Sequence, residues 1–401
     1  MILELNKDVV FVKGFLNGAI YNLKTGEVYS INKKACEIIS KLKENKKLTK
    51  EEKEYAELLK KNNLYNMECS IKSYIFEENV VNRYNTIWLE ITQGCNMRCI
   101  HCYEGQTHKV SKRTLTLNEW KKIIDQLKIL NIKRVIVIGG EPCIHENIYE
   151  ILEYLGKKEI PTTLFTNASL LNNKIIDLLV RNDMEIKISL YGPNSEVHDK
   201  ITKVKGSFNV LIKNIELLKE KGIVPTIAIT LMKENEDYYL EIEKLLEKIN
   251  IKKFKFDVIR KVFDGQQDKH YPENNKIRNL VKRTSPYFLV KKKTFNINVK
   301  KNSCWYGKLV ISEDGSLFPC VFARNEILGN IKETNVKKLL ESKKLSQLWN
   351  LNMDKIKICS DCEFRYACID CRPLAYSEKK DLYEKNPRCL YNPYTGMWLN
   401  D

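Results

Sequence analysis

The stretch Cys95-Asn96-Met97-Arg98-Cys99-Ile100-His101-Cys102 sets three cysteines in a C-x3-C-x2-C spacing. It follows Ile87-Trp88-Leu89-Glu90-Ile91, a run that reads as a strand, so the thiols fall on a loop beyond a strand end. Three thiolates on one tight loop can ligate three irons of a [4Fe–4S] cluster and leave the fourth iron open. The same residues also permit a zinc loop with His101 as fourth ligand. Spacing alone leaves both open.

Downstream, strand and helix patterns alternate to about residue 260. Thr116-Leu117-Asn118-Glu119 is a capping box opening a helix with apolar Trp120, Ile123, Ile124 and Leu127. Val135 to Ile138 is wholly apolar, as a buried parallel strand requires. A helix near 146–156, strand 162–166, helix 171–180 and strand 185–190 follow. Helix 207–221, closed by Gly222, strand 224–230, helix 236–249 and strand 253–258 complete the series. Six β/α repeats with right-handed crossovers predict an α/β fold, a partial (β/α)6 TIM-like barrel over 84–260. Ligands of such sheets sit at the C-terminal ends of the strands.

Upstream, residues 1–75 read as a small module. Val9–Val12, Ala19–Asn22 and Glu27–Ser30 are short β-rich runs, and Lys24-Thr25-Gly26 turns the second into the third. Asn32 caps a helix through Ala35, Ile38, Ile39 and Leu42, and a second helix runs from about Thr49 to Lys61. Three strands followed by helices suit a winged-helix-like module, with Cys36 packed in its core. Residues 261–303 form a connecting segment: Asp264–Gln267 and Tyr271–Asn274 read as loop, Lys276–Lys293 as partly helical. Residues 304–401 are rich in cysteine and turn residues, with one helix near 335–349; a segment with so little core needs bound metal to hold it.

That last segment carries Cys304, Cys320, Cys359, Cys362, Cys368, Cys371 and Cys389, with two C-x2-C pairs. Seven thiols exceed what packing explains, and two zinc ribbons are one account of them. Ten of the 13 cysteines therefore sit in groups with ligand-like spacing; Cys36, Cys69 and Cys143 stand alone. An odd number, in a chain whose start lacks a signal-peptide pattern, argues against a disulfide framework. No window is long and apolar enough for a membrane span, so a cytoplasmic location is expected. The net charge of +17 over 401 residues is spread along helix faces without a dense basic block, so a nucleic-acid partner is not expected. A zinc-stabilised nucleic-acid-binding protein is the alternative of another class; iron–sulfur absorbance near ~400 nm would exclude it.

Gly139-Gly140-Glu141-Pro142 follows the second barrel strand. With the cysteine loop and Tyr103 after it, this resembles the radical S-adenosylmethionine (SAM) superfamily. The resemblance implies that Cys95, Cys99 and Cys102 hold the cluster that chelates SAM. It also implies that the G-G-E-P element meets the SAM amino group, with Glu141 pairing the ammonium. Asn167 and Ser189 occupy places where the family contacts ribose and carboxylate. His198-Asp199 with Lys203, Lys205 and Gly206 resembles a further stretch of that family. There lysine replaces a commoner arginine and forgoes a bidentate contact.

The second cysteine group, with Gly315 five residues before Cys320, resembles the SPASM extension, which holds two auxiliary [4Fe–4S] clusters. By that resemblance Cys304, Cys320 and Cys371 hold the first, and Cys359, Cys362, Cys368 and Cys389 the second. Two residues precede Cys371 where the family more often has three. Over the whole chain the pattern resembles a peptide maturase of the radical SAM/SPASM type, whose N-terminal module binds a leader as an added strand. The partners implied are a precursor peptide with a leader and a low-potential electron donor of flavodoxin or ferredoxin type. The outcome expected is a thioether from a peptide cysteine to a carbon, with an auxiliary cluster accepting the surplus electron. Carbon–carbon crosslinking, epimerisation and splicing use related scaffolds. Anaerobic sulfatase-maturating enzymes carry an acidic base after the cysteine matching Cys320; here Val321 stands there, which argues against formylglycine formation.

Overall fold

The computed structural model describes residues 2–66, 71–75, 85–102, 114–260, 269–280 and 288–398. The chain forms two compact units, one of residues 1–82, 282–306 and 347–401, the other of residues 83–281 and 307–346. Tyr103, Cys69 and the Asp264–Gln267 loop lie outside the described residues.

In the first unit, β1 (Ile2–Asn6), β2 (Val9–Lys13), β3 (Gly18–Asn22) and β4 (Val28–Ile31) form an antiparallel meander. The helices α1 (Lys33–Lys43) and α2 (Lys50–Lys61) follow, and β5 (Lys72–Ser73) pairs with β1, giving the order β4-β3-β2-β1-β5. The Asn32 side chain caps α1, and Thr49 and Glu52 form a capping box on α2. The sequence predicts three strands here; β1 and β5 make five.

Both faces of this sheet are covered. Leu3, Leu5, Phe11 and Ile20 pack with Cys36, Ile39 and Leu59, while Val10, Val12, Ala19 and Tyr21 pack with Phe295, Phe364, Tyr366 and Tyr391. That double burial explains why Val9 to Val12 is apolar without alternation. The expected module at 1–75 thus shares one of its two core clusters with later sequence, half of whose buried residues come from position 290 onward. The Tyr21 hydroxyl donates to the Glu363 carbonyl at 2.7 Å, and the Arg365 guanidinium donates to the Lys13 carbonyl at 3.0 Å. At Gly14 a Cβ would stand 2.9 Å from the Glu363 nitrogen, so only glycine admits this approach.

The second unit is the barrel. Strands β6 (Thr86–Glu90), β7 (Arg134–Ile138), β8 (Thr162–Thr166), β9 (Glu185–Leu190), β10 (Thr226–Leu231) and β11 (Phe254–Val258) pair in parallel and in chain order. Helices α3 (Leu117–Ile129), α4 (Ile148–Lys157), α5 (Asn173–Arg181), α6 (Ser195–Thr202), α7 (Ser207–Glu220) and α8 (Tyr239–Lys248) connect them. The expected repeats are all present, with α6 added between β9 and α7. Strands β9 and β10 alternate between fully and partly buried positions. Ile186, Ile188 and Leu190 form the fully buried set on β9, and Lys187 and Ser189 line the barrel cavity.

The sheet continues past β6. Strand β12 (Lys308–Ser312) runs parallel to β6, and β13 (Ser316–Phe318) and β14 (Gly329–Asn330) add antiparallel strands. Residues 307–346 thus belong to the barrel unit rather than to a single C-terminal domain over 304–401. Leu309, Val310 and Ile311 are fully buried, a core that no isolated cysteine-rich segment would offer them. Gly315 turns β12 into β13 at φ +87°, a conformation that side chains disfavour.

Candidate active site

The cysteine loop leaves β6 at the top of the barrel and is held from three sides. Gly140 and Glu141 nitrogens donate to the Thr92 and Gly94 carbonyls at 2.8 Å each, and the Gln93 nitrogen donates to Glu313 Oε2 at 2.7 Å. Arg98 and Ile100 nitrogens donate at 3.0 Å to the carbonyls of Thr202 and Ile201, at the end of α6. Burial pushes the Cys95 and Cys99 thiols up, and for Cys99 the neighbouring Cys102 and Cys95 add to it. Thiols that sense one another are close together. Burial favours the protonated form of Cys95 and Cys99, so cluster assembly there must release protons.

His101 is held by packing: its ring lies 4.5 Å from that of Tyr191, which stacks at 5.6 Å on His198. Burial lowers the His101 pKa to about 4, so the imidazole is neutral at pH 7. Among the described residues no three His, Cys, Asp or Glu side chains converge closely enough to hold one metal ion.

The cysteine loop borders a cavity of about 490 Å³ inside the barrel, within the ~300–1,000 Å³ typical of small-molecule sites. Cys95, Cys99, Cys102, Gly139, Gly140, Asn167 and Ser189 all line it. They are the residues that could hold a cluster and SAM. A Cβ on Gly139 or Gly140 would come within 2.3 Å of the Thr92 or Gly94 carbonyl, so both glycines are required by the cysteine loop itself. The Asn167 amide donates to Asn96 Oδ1 at 3.0 Å, bracing that loop.

Two expected contacts are placed differently. Glu141 is fully buried and accepts from the Thr166 hydroxyl at 2.6 Å, the Asn167 nitrogen at 2.7 Å and the Cys143 nitrogen at 3.0 Å. It is not among the cavity-lining residues. Burial raises its pKa despite these donors. Its carboxylate ties strand ends together, and Pro142 starts the short turn of helix behind it. Cys143 packs there too, 3.8 Å from the Thr166 hydroxyl. Lys203 is an exposed left-handed cap at the end of α6 and does not line the cavity. Glu141→Gln sets an amide against three donors, and thermal or urea denaturation should show a loss of about 1–3 kcal/mol.

The cavity also holds residues that motif reasoning passed over: Trp88, Phe165, Lys187, Asp257, Arg260 and Phe322. A signal for Lys187 was present, since it shares strand parity with Ser189 in Glu185–Leu190.

The other cysteines divide between the units. Cys359, Cys362, Cys368 and Cys389 lie in the first; the Cys359 thiol is raised by burial and by nearby Cys368 and Cys389, and the Cys362 thiol by burial, Glu363, Cys368 and Cys359. Four half-buried thiols, each of which feels at least one of the others, are a donor set suited to a cluster. The Phe364 nitrogen donates to Cys362 Sγ at 3.4 Å. Cys371 starts the helix Arg372–Lys379, and the Cys304 nitrogen donates to Asn302 Oδ1 at 3.0 Å. In the second unit Cys320 Sγ accepts from the Phe322 nitrogen at 3.4 Å.

Residues 89–246 match the radical SAM superfamily, and residues 304–363 match SPASM, an iron–sulfur cluster-binding domain. The AdoMet-dependent heme synthase of Methanosarcina barkeri (strain Fusaro / DSM 804) is 25% identical over 344 residues, covering 78% of this chain and 98% of that protein. The antilisterial bacteriocin subtilosin biosynthesis protein AlbA of Bacillus subtilis (strain 168) is 26% identical over 301 residues, covering 70% of this chain and 66% of AlbA. In fold, the chain is similar to Streptococcus suis SuiB bound to precursor peptide SuiA: TM-score 0.61 at 16% identity, covering 96% of this chain and 99% of that one. The chain carries a radical SAM domain followed by a SPASM domain, and the cofactors these domains take are S-adenosylmethionine and [4Fe–4S] clusters.

Proposed function

We propose that this radical SAM/SPASM enzyme modifies a ribosomally made precursor peptide, joining a peptide cysteine through a thioether to a carbon. The observation that carries this reading is the place of β4 at the end of the sheet, where among the described residues no further strand pairs with it beyond the bridge from Glu27 to Leu289. Asn22 donates to the Glu27 carbonyl, so residues 29 and 31 bond towards β3 while Ser30, past that bridge, presents its backbone groups outward. Such an edge accepts an extended leader as a further strand. AlbA, a bacteriocin biosynthesis protein, and SuiB, bound to its precursor peptide, support the same substrate class.

When bound, SAM and the cluster at Cys95, Cys99 and Cys102 supply a carbon-centred radical able to take hydrogen from an unactivated carbon. The chain's own part is to enclose that site in the barrel, to hold the loop through Glu313 and Asn167, and to position the peptide. Cys304, Cys320 and Cys371 are proposed to hold one auxiliary cluster, and Cys359, Cys362, Cys368 and Cys389 the other. A low-potential flavodoxin or ferredoxin would supply electrons, and the excess of basic residues favours such an acidic donor.

A second reading is an iron tetrapyrrole substrate, favoured by the match covering 98% of the heme synthase. That match leaves more of this chain uncovered than the SuiB likeness does. The test is anaerobic incubation of the reconstituted protein with a short, cysteine-containing peptide encoded beside its gene. A thioether appears as a loss of about 2 Da, absent from the Cys→Ser peptide. Unchanged mass in both peptides would sink the proposal, and a product from the Cys→Ser peptide would shift it to carbon–carbon bonding, epimerisation or splicing. Ser30→Pro removes one outward donor while sparing the β3–β4 ladder. It should weaken leader binding about tenfold or more in a titration, with SAM cleavage in the absence of peptide retained.

A further inference from the structure

Lys187 stands within the cavity wall, away from the cysteine loop. It lies on β9, opposite Phe165 of β8 and Thr226 of β10, one layer below Ser189. Its Nζ stands 4.9 Å from the centroid of the Phe165 ring. Among the described residues no carboxylate lies within ion-pair distance of it. Arg260 of the same cavity is by contrast paired with Asp257 at 2.9 Å. Burial, with help from nearby Lys255, disfavours the Lys187 charge; Asp257 of the same cavity opposes this in part but pairs with Arg260, so Lys187 is a cation with no ion-pair partner of its own among the described residues.

A lysine on a barrel wall can be a packing residue whose head reaches water. That account leaves the head pointed at solvent beyond the cavity, whereas here Nζ sits over an aromatic face that also lines the cavity. An aromatic face attracts the cation and leaves its remaining donors for a ligand.

We propose that Lys187 anchors a carboxylate on the substrate. The proposal rests on the cavity being the substrate chamber. The carboxylate is that of an acidic side chain or chain terminus in a peptide, and a tetrapyrrole propionate would present the same chemistry. Two residues along a strand span about 6.6 Å, so the carboxylate is held one side-chain layer, about two residues of extended peptide, from the Ser189 level.

The test uses full-length reconstituted protein and two probe pairs: Ac-Gly-Cys-Glu-Gly-NH2 against its Gln counterpart, and an iron porphyrin bearing free propionates against its methyl ester. Dissociation constants are measured for the wild type, Lys187→Gln and Lys187→Arg, with iron content checking that each variant has folded. The wild type should favour the carboxylate member of the peptide pair about tenfold. Lys187→Gln should erase that preference, and Lys187→Arg should restore most of it. Equal binding of both members of both pairs, or a preference that survives in Lys187→Gln, overturns the assignment. A Lys187-dependent preference confined to the porphyrin pair keeps the carboxylate anchor and removes the peptide reading.

Discussion

Replacing Cys95, Cys99 and Cys102 together with alanine should abolish 5′-deoxyadenosine formation outright. The proposed three clusters amount to about 12 Fe per chain, and this variant should lose about a third of them. The expectation follows from geometry: the three thiols share one loop, sense one another and line the same cavity as Gly139, Gly140, Asn167 and Ser189. The loop's backbone is bonded to the Thr202 and Ile201 carbonyls and to Glu313, contacts that do not involve sulfur. The variant should therefore keep the fold and the remaining iron. Iron assay, circular dichroism and product chromatography read the three quantities separately. Undiminished 5′-deoxyadenosine would show that SAM is cleaved elsewhere. The matching control is Cys36→Ala: Cys36 sits in the core with Phe11 and Ile39, so it should alter stability while leaving iron unchanged.

The second large effect is expected at Arg324. Its guanidinium is bonded to Glu90, a fully buried carboxylate that ends β6, and lies 4.9 Å from the Phe318 ring centroid. Removing the cation while keeping the buried anion takes the guanidinium away from a carboxylate that water does not reach. Arg324→Met should therefore destabilise the barrel unit by about 3–5 kcal/mol. That is a large fraction of the ~5–15 kcal/mol typical of a folded domain, so the urea midpoint should fall markedly. Glu90 lies five residues before Cys95, so iron retention at the cysteine loop should drop as well. The double variant Glu90→Gln/Arg324→Met should recover much of the loss, because it removes the charge and its partner together. A single variant as stable as the wild type would show that the pair contributes little.

Much of the barrel was legible because its signals are local. Capping residues such as Thr116, apolar runs such as Val135–Ile138 and Gly222 act within a few residues, and each marks an element that the structure contains. Cysteine spacing on a single loop is equally local. β12 was missed because a strand that adds to β6 across more than 200 residues of chain has no local mark distinguishing it from a turn-rich segment. The cover over the module expected at 1–75 was illegible for a related reason: period-two patterning shows that a strand has two faces, and only residues from 290 onward show that both are covered.

The same division runs through the site. Sequence alone determined the chemistry on offer: three thiols on one loop, two glycines at a strand end, and Asn167 and Ser189 at the next two strand ends. Tertiary structure alone decided where each side chain points. It turned Glu141 inward to three donors from Cys143, Thr166 and Asn167, left Lys203 as an exposed cap, and brought Lys187 into the cavity with Asp257. The physical reason is that a residue type sets what bonds a group can make, whereas desolvation and the nearest available partner, often far along the chain, select which of them it makes.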